Sequence, residues 1–284
     1  MEHILRGKEV ASAIMERNRP IIAKLIEKGI TPTLAIFRVG EKEADLSYER
    51  GAIKRFEQCG IQTVRYTFDE NVSVEDFYQK LDEANKDPKT HGILVFRPLP
   101  KDRFDDTTLR NFISPEKDVD GCSDLSLAGI FTGRDLGFPP CTAQAVLEIL
   151  DHYQIDVEGK NVVVLGRSLV IGRPVSLLLM QKNATVTICH TRTKDLAAIA
   201  SKADILVCTT GRPEMVNKTF THPKQIIIDV GIEYSEKKQK LSGDVDYEEV
   251  EPFVQAITPV PGGVGSVTTS VLVDHVVKAA LTAE

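Results

Sequence analysis

The sequence predicts an α/β protein of two domains, and three features of its 284 residues carry that prediction. Short apolar runs alternate with amphipathic stretches through the first hundred residues, which is the βαβ pattern of a parallel sheet with covering helices. A second series of such runs begins at Gly159. Between the two series, residues 101–141 are polar and rich in turn-forming residues. We therefore expect two sheet-containing domains connected through this segment.

In the first half of the chain, glycines mark the predicted ends of several helices and strands. Apolar residues at helical spacing predict a first helix that ends at Gly29, and the apolar run Thr33–Val39 predicts a strand closed by Gly40. A helix is predicted over Asp45–Cys59 and a strand over Ile61–Phe68. The later elements are a helix capped by Ser73, a strand at Gly92–Phe96 and a helix from Thr142 to Tyr153.

The second half has the pattern of a dinucleotide-binding domain. Asn161–Leu165 is a predicted strand, and the string G-R-S-L-V-I-G-R-P follows it directly. A glycine at the end of a strand permits a tight turn, and the next helix presents free N–H groups to a pyrophosphate. The spacing is G-x-S-x-x-x-G rather than G-x-G-x-x-G, so a plain strand–helix turn is the alternative. Further strands are predicted at Thr185–Cys189, Ile205–Cys208 and Ile226–Val230.

The end of the Thr185–Cys189 strand predicts which dinucleotide binds. Sites for NAD usually place an acidic residue about 20 residues after the loop, where it binds the ribose 2′-hydroxyl. Thr191 and Arg192 occupy that region here, and Arg167 lies in the loop itself. Guanidinium groups suit a 2′-phosphate, so the predicted cofactor is NADP. The alternative for Arg192 is a solvated surface charge.

The composition argues against several classes of binding partner. The net charge of −6 gives no support to binding of nucleic acid or of a membrane surface. The five cysteines are scattered without a CxxC pair, which predicts reduced thiols and no zinc site. No apolar stretch has the length of a signal peptide or a membrane span. We therefore expect a cytoplasmic protein without nucleic-acid, membrane or metal partners.

Three further strings connect the two halves to one family. They are G-I-L-V-F-R-P-L-P at 92–100, P-E-K-D-V-D-G at 115–121 and T-P-V-P-G-G-V-G-S-V-T at 258–268. With the loop at 166–174 and the segments 184–193 and 228–232, they follow the family's order and spacing. From about residue 30 to its end, the chain resembles the methylenetetrahydrofolate dehydrogenase/cyclohydrolase family.

The resemblance implies a domain organisation and an assembly. It implies a βαβ-type folate-binding catalytic domain over residues 1–141 and a Rossmann-like NADP-binding domain over residues 142–267. A C-terminal helix, residues 268–284, is expected to pack back on the first domain. The resemblance also implies a folate cleft between the domains and a homodimer formed through the cofactor domains.

The resemblance also implies roles for individual residues. Tyr48 matches the tyrosine that stacks near the pterin, and Asp120 matches the acid that hydrogen-bonds the polar edge of the pterin; both are the predicted catalytic residues. Taken alone, Tyr48 would be an ordinary helix aromatic and Asp120 a turn-capping carboxylate. The other predicted folate-site residues are Ala52, Phe96, Pro261, Gly262 and Gly263. The last three lie in a loop that includes Pro259. The predicted cofactor contacts are Gly166, Arg167, Ser168, Thr191, Arg192 and Ile232.

Two positions depart from the family's pattern. Ala52 stands where the family has the lysine of the cyclohydrolase step, and Phe96 stands where it has the glutamine partner of that lysine. Neither side chain can transfer a proton or hydrogen-bond. Lys54 is rotated by about 200° around the helix from position 52, and Arg97 is expected on the opposite strand face. Hydride transfer needs mainly orientation of cofactor and folate, so that step is expected to remain.

The sequence therefore predicts an NADP-dependent oxidation of 5,10-methylenetetrahydrofolate to the 5,10-methenyl cation, with weak or absent cyclohydrolase activity. Three alternatives stay open. They are a bifunctional enzyme that makes 10-formyltetrahydrofolate, a non-catalytic regulator that binds folate or a nucleotide, and a two-domain dinucleotide enzyme with a non-folate substrate.

Overall fold

The protein has two compact α/β units in a computed structural model that describes residues 3–283. The three-stranded unit contains residues 13–141 and 269–283, and the five-stranded unit contains residues 3–12 and 142–268. Both sheets are parallel, as the predicted fold class requires. None of the helices in these described residues is long and apolar enough to cross a membrane.

The three-stranded unit is a sheet of β1 (Thr33–Val39), β2 (Gln62–Phe68) and β3 (Gly92–Val95) in the order β2-β1-β3. Its core is aromatic: Phe37 of β1 stacks on Tyr66 at 4.4 Å between centroids, and Phe77 meets Phe37 edge to face. The helices of this unit are α2 (Glu43–Glu57), α3 (Val74–Lys86), α4 (Asp106–Phe112) and α5 (Asp124–Thr132). Two helices, α1 (Gly7–Glu27) and α10 (Gly265–Thr282), include residues of both units.

The five-stranded unit has the strand order β10-β7-β6-β4-β5. The central strands are buried on both faces, as expected for a parallel sheet, whereas the edge strand β5 exposes most of its side chains. The five strands are β4 (Asn161–Leu165), β5 (Thr185–Cys189), β6 (Ile205–Cys208), β7 (Ile226–Asp229) and β10 (Ala256–Ile257), beside an antiparallel hairpin of β8 (Glu233–Ser235) and β9 (Lys240–Ser242). Its helices are α7 (Gly172–Gln181), α8 (Leu196–Ala200) and α9 (Tyr247–Val250). A further helix, α6 (Cys141–His152), begins at the end of segment 13–141 of the other unit and continues in this one.

The structure differs from the predicted boundaries at two places. The predicted first domain began at residue 1, whereas residues 3–12 belong to the five-stranded unit, because Ile4 bridges Ile257 and the N–H of Gly7 donates to the carbonyl of Gly262. The segment 101–141 is also more regular than predicted. It contains α4 and α5, and a side-chain hydrogen bond caps the start of each helix. Neither helix was predicted.

Candidate active site

Tyr48 and Phe96 meet at the carboxyl end of the three-stranded sheet. Phe96 follows β3 directly, and its N–H donates to the carbonyl of Phe37 at 2.9 Å. Tyr48 lies on α2, the helix after β1, and its ring meets the Phe96 ring edge to face with centroids 5.7 Å apart. Ala52, one helical turn after Tyr48, is fully buried. The side chain that replaces the expected lysine therefore has no solvent beside it.

The hydroxyl group of Tyr48 is more deeply buried than the rest of its side chain. The residue keeps 37% of its surface exposed, but its hydroxyl group hydrogen-bonds Thr269. Burial raises the pKa of Tyr48 above its ordinary value, and the charges of Asp120 and Cys141 raise it further. Tyr48 is therefore a neutral phenol at physiological pH, with an accessible ring and a fixed hydroxyl group.

Asp120 is the titratable group of this cluster. Burial raises the pKa of Asp120 to about 6, the guanidinium of Arg97 opposes that rise, and the carboxylate of Asp118 adds to it. The thiol of Cys141 donates to the carbonyl of Val119 at 3.2 Å and also interacts with the Asp120 carboxylate. Asp120 is therefore an ionised acceptor at neutral pH that lies close to its own titration range.

The other charged residues of the P-E-K-D-V-D-G string have structural roles. Asp118 is fully buried and accepts hydrogen bonds from the N–H of Ser123 at 2.8 Å and from the hydroxyl group of Ser126 at 2.6 Å, which fixes the start of α5. The ammonium group of Lys117 donates to three carbonyls at the end of α3, including that of Asn85 at 2.7 Å. Asp118 and Lys117 are therefore committed to structural hydrogen bonds.

Arg97 lies just beyond β3, where the strand alternation used in the sequence analysis does not apply. Strand alternation was expected to turn Arg97 away from the Phe96 side, but β3 ends at Val95, so the alternation does not extend to position 97. The guanidinium lies 3.3 Å from a carboxylate oxygen of Asp106 and acts electrostatically on Asp120. Only 17% of the Arg97 side chain is exposed. A largely buried cation, paired with Asp106, therefore lowers the pKa of Asp120 relative to the effect of burial alone.

The predicted cofactor residues lie along one edge of the five-stranded sheet. Because all five strands are parallel, the loops that follow them emerge at the same edge, which is where nucleotides bind in such folds. The segments at this edge, taken across the sheet, are residues 258–263, 230–232, 209–212, 166–171 and 190–193.

The loop after β4 requires its glycines. Gly166 has φ +134°, and a Cβ there would overlap Thr209 of the neighbouring loop. A Cβ on Gly172 would overlap the carbonyl of Gly166. The Ser168 hydroxyl group accepts hydrogen bonds from the N–H groups of Ile171, at 3.1 Å, and Gly172, so it caps the start of α7. This close-packed turn into a helix fits a pyrophosphate.

The turn after β5 presents a hydroxyl group and a cation. The imidazole of His190 accepts the N–H of Arg192 at 3.2 Å, and the N–H of His190 donates to the Thr193 hydroxyl group at 2.9 Å. Thr191 and Arg192 are exposed on this fixed turn, and Arg167 is exposed on the adjacent loop after β4. No acidic residue precedes Lys194 in this turn, so the chemistry of the edge fits the 2′-phosphate of NADP.

Two buried aspartates that sequence reasoning missed hold the next loops. Asp229 ends β7 and accepts the N–H groups of Gly231 and Asp244, both at 3.1 Å. Burial raises the pKa of Asp229 to about 7, and the nearby Asp244 adds to that rise. A Cβ on Gly231 would overlap Asp244, and one on Gly243 would overlap Asp229. The sequence signal for these aspartates was a glycine close to each one, Gly231 after Asp229 and Gly243 before Asp244.

The remaining predicted residues lie in the loops after β7 and β10. Ile232 is 49% exposed beyond β7. Pro261 and Gly262 are exposed, and Gly262 has φ +104°, which favours glycine. Gly263 is buried, and a Cβ there would press against the Pro259 carbonyl. The folate-site candidates Pro261, Gly262 and Gly263 belong to the five-stranded unit, as does the cofactor-site candidate Ile232. The folate-site candidates Tyr48, Ala52, Phe96 and Asp120 belong to the three-stranded unit.

Comparison with known proteins matches both parts of the chain to one family. Residues 5–120 match the model described as "Tetrahydrofolate dehydrogenase/cyclohydrolase, catalytic domain". Residues 140–284 match "Tetrahydrofolate dehydrogenase/cyclohydrolase, NAD(P)-binding domain".

Individual relatives resemble the chain over nearly its whole length. The bifunctional protein FolD of Alkaliphilus oremlandii is 48% identical over 279 residues, which cover 98% of this chain and 97% of that protein. The crystal structure of the Campylobacter jejuni FolD dehydrogenase/cyclohydrolase has a TM-score of 0.94 at 36% identity, with 98% of each chain covered. The Trypanosoma brucei dehydrogenase-cyclohydrolase, solved with NADP cofactor and inhibitor, has a TM-score of 0.91 at 32% identity and 99% coverage of each chain.

Proposed function

Because the chain belongs to the tetrahydrofolate dehydrogenase/cyclohydrolase family, we propose that it oxidises 5,10-methylenetetrahydrofolate to 5,10-methenyltetrahydrofolate with NADP. The observation that carries this proposal is the presence of an accessible Tyr48 ring and a partly buried, ionised Asp120 in one unit. The glycine-dependent turn and exposed arginines of the other unit support the cofactor.

The chain's own residues mainly orient the folate. The Tyr48 ring offers a face to the pterin, and the Asp120 carboxylate accepts hydrogen bonds from N–H groups at the polar edge of the pterin. The nitrogen lone pair of the substrate drives the hydride out, so this step needs no protein base. Bound NADP supplies the hydride acceptor. Arg167 and Arg192 are the residues that would hold its 2′-phosphate.

We further propose that the cyclohydrolase step is weak or absent. Addition of water to the methenyl cation requires proton transfer, and position 52 carries a methyl group that is fully buried. The neighbouring position 96 is a half-buried phenyl ring in contact with Tyr48. Two apolar side chains therefore occupy the positions from which the family's lysine and glutamine would act.

A bifunctional enzyme that produces 10-formyltetrahydrofolate is the second candidate, and the names of the relatives favour it. The site offers one group for such chemistry. Asp120, with a pKa of about 6, is poised to accept a proton near neutral pH and would be the base that activates water. The two candidates differ in a single observable, the rate at which methenyltetrahydrofolate disappears in the presence of the protein.

We also propose a cytoplasmic homodimer joined through the five-stranded units. Four large apolar residues are each more than 40% exposed on neighbouring elements of that unit, which is the composition of a surface that another chain covers. They are Leu169 and Val170 after β4, Met180 on α7 and Ile188 on β5.

The dehydrogenase proposal is tested by supplying the purified protein with 5,10-methylenetetrahydrofolate and either NADP or NAD. We expect methenyltetrahydrofolate and reduced cofactor to form in equal amounts, and faster with NADP. Formation only with NAD would contradict the roles of Arg167 and Arg192. No reaction with either cofactor would overturn the enzymatic function and favour a non-catalytic regulator or a non-folate substrate.

A further inference from the structure

The loop after β6, residues 209–212, is the central one of the five segments at the cofactor edge. Strand β6 lies between β4, whose loop begins with Gly166, and β7, whose loop contains Ile232. None of the predicted cofactor contacts lies in this loop, although both of its neighbours carry one. Whatever fixes residues 209–212 therefore bears on the shape of the whole edge.

Thr209 packs directly against the turn that fits a pyrophosphate. The N–H of Thr209 donates to the carbonyl of Leu165 at 2.9 Å, and its hydroxyl group donates to the same carbonyl at 3.0 Å. Gly166 lies so close that a Cβ there would overlap the Thr209 hydroxyl group. A change in the loop after β6 would therefore reach the turn after β4 without any intervening residue.

The carboxylate of Asp244 holds the remainder of this loop. One carboxylate oxygen accepts the N–H of Thr210, and the other accepts the N–H of Arg212 at 2.9 Å. Burial raises the pKa of Asp244, and these two N–H groups oppose the rise, so they stabilise its charged form. Hydrogen bonds to a charged acceptor are stronger than neutral ones, and two of them fix the backbone at positions 210 and 212.

Asp229 connects the loop after β7 to Asp244. Its carboxylate accepts the N–H groups of Gly231 and Asp244, both at 3.1 Å. It also accepts the N–H of Val245 at 3.0 Å. Gly231 in turn packs against the Asp244 carboxylate, which a Cβ would overlap, and Ile232 follows it directly. The two carboxylates therefore fix the loops after β6 and β7 relative to each other.

Resting on the proposed NADP-dependent reaction, we propose that Asp229 and Asp244 are positioning residues of the cofactor site, because they hold the loops after β6 and β7 in the conformation that receives NADP. Each carboxylate acts through backbone N–H groups of the loops and not on the cofactor itself. A site whose loops are ordered in advance binds more tightly, since binding does not have to restrict their freedom. The two aspartates therefore raise the affinity for NADP.

Asp244→Asn tests this role with a side chain of the same size. The amide keeps one acceptor oxygen and replaces the other with an NH2 group, so one of the two loop N–H groups loses its acceptor. We expect the dissociation constant of NADP, measured by titration calorimetry, to rise about tenfold, which is the scale of one charge-assisted hydrogen bond. A purely structural role would lower the unfolding temperature and leave this constant unchanged.

Asp204→Asn is the matched control, because Asp204 lies at the opposite edge of the same sheet. It precedes β6, and its carboxylate accepts the N–H of Asn161, the first residue of β4, at 2.8 Å. The control therefore removes a hydrogen bond of the same kind from the same pair of strands, away from the loops that follow them. It should leave the dissociation constant of NADP unchanged. An unchanged constant in Asp244→Asn, or an equal rise in both variants, would overturn the role of Asp244.

Hydrogen exchange in the unmodified protein tests both carboxylates without a substitution, and it is decisive if Asp244→Asn does not fold. The N–H groups of Thr210, Arg212 and Gly231 should be protected before NADP is added, because their acceptors are already in place. Rapid exchange of these groups in the free protein, with protection only after NADP binds, would overturn the inference. A protein that binds NADP without oxidising methylenetetrahydrofolate would instead contradict the proposed function.

Discussion

At the scale of single residues, the predicted folate site contains an aromatic ring and a carboxylate close to two apolar side chains. Tyr48 and Asp120 provide an aromatic face and an anionic acceptor, which the proposed function uses to orient a pterin for hydride transfer. Ala52 and Phe96 remove proton-transfer groups from the same corner. This combination of residues is the basis of the proposal that the chain oxidises the folate without hydrolysing the product.

The raised pKa of Asp120 predicts an acidic limb in the pH dependence of catalysis. The carboxylate must be ionised to accept hydrogen bonds, and its pKa in the folded protein is about 6. We expect kcat/KM with methylenetetrahydrofolate to be flat above about pH 7 and to fall about tenfold for each pH unit below 6. Asp120→Asn should have low activity and no limb near pH 6. A limb near pH 4 in the unmodified protein would contradict an inward-facing Asp120.

At the scale of elements, α2 is weakly specified for a helix that carries a site residue. It begins at Lys42 without a side-chain cap, and Gly51 lies in its interior. Its position is instead fixed by tertiary contacts: Glu49 forms a buried ion pair with Arg38 at 2.6 Å, beside Tyr48. Because one partner alone would be an uncompensated buried charge, this pair fixes where α2 lies against the end of β1.

Gly51 offers a direct measure of how weakly α2 is specified. A Cβ at this exposed position would meet nothing within 4 Å, so Gly51→Ala should raise the free energy of unfolding by about 0.5–1 kcal/mol. Gly129→Ala is the matched control in α5, where the Cβ would overlap the Leu136 carbonyl, and it should destabilise the protein by more than about 1 kcal/mol. Urea unfolding gives both values. Equal effects of the two substitutions would contradict the packing described.

The elements also show what sequence patterns could and could not predict. β1 and β4 have the predicted bounds, because buried parallel strands are continuous apolar runs. The cap by Ser73 is confirmed, since its hydroxyl group accepts the N–H of Asp76. α5 was missed because its apolar residues have no helical periodicity. The neighbourhood of Arg97 was also beyond prediction, since it depends on β3 ending two residues earlier.

At the scale of the whole molecule, the two units hold different groups of the predicted site residues. The three-stranded unit holds the aromatic and acidic cluster, and the five-stranded unit gathers its loops at one edge of a parallel sheet. The parallel sheets could be predicted from the βαβ pattern, whereas no strand order was predicted. The pairing of Asp229 with Asp244 could not be predicted, because it joins residues fifteen positions apart through a hairpin.

The apolar residues of the five-stranded unit predict the oligomeric state. We expect the protein in solution to have twice the 31.4 kDa mass of the chain. Ile188→Glu should shift it to the monomer, because the substitution places a carboxylate in the proposed apolar interface. Ile26→Glu, at a similarly exposed apolar residue of the other unit, should leave the mass unchanged. Light scattering after size exclusion measures all three, and a monomeric unmodified protein would contradict the proposed dimer.

The central claim is that this chain carries out the oxidation and leaves the methenyl product unhydrolysed. The most direct measurement follows the absorbance of methenyltetrahydrofolate with and without the protein. We predict the same decay in both cases, and a faster decay with Ala52→Lys combined with Phe96→Gln than with the unmodified protein. Prompt, protein-dependent conversion to 10-formyltetrahydrofolate by the unmodified chain would contradict the claim and establish the bifunctional alternative.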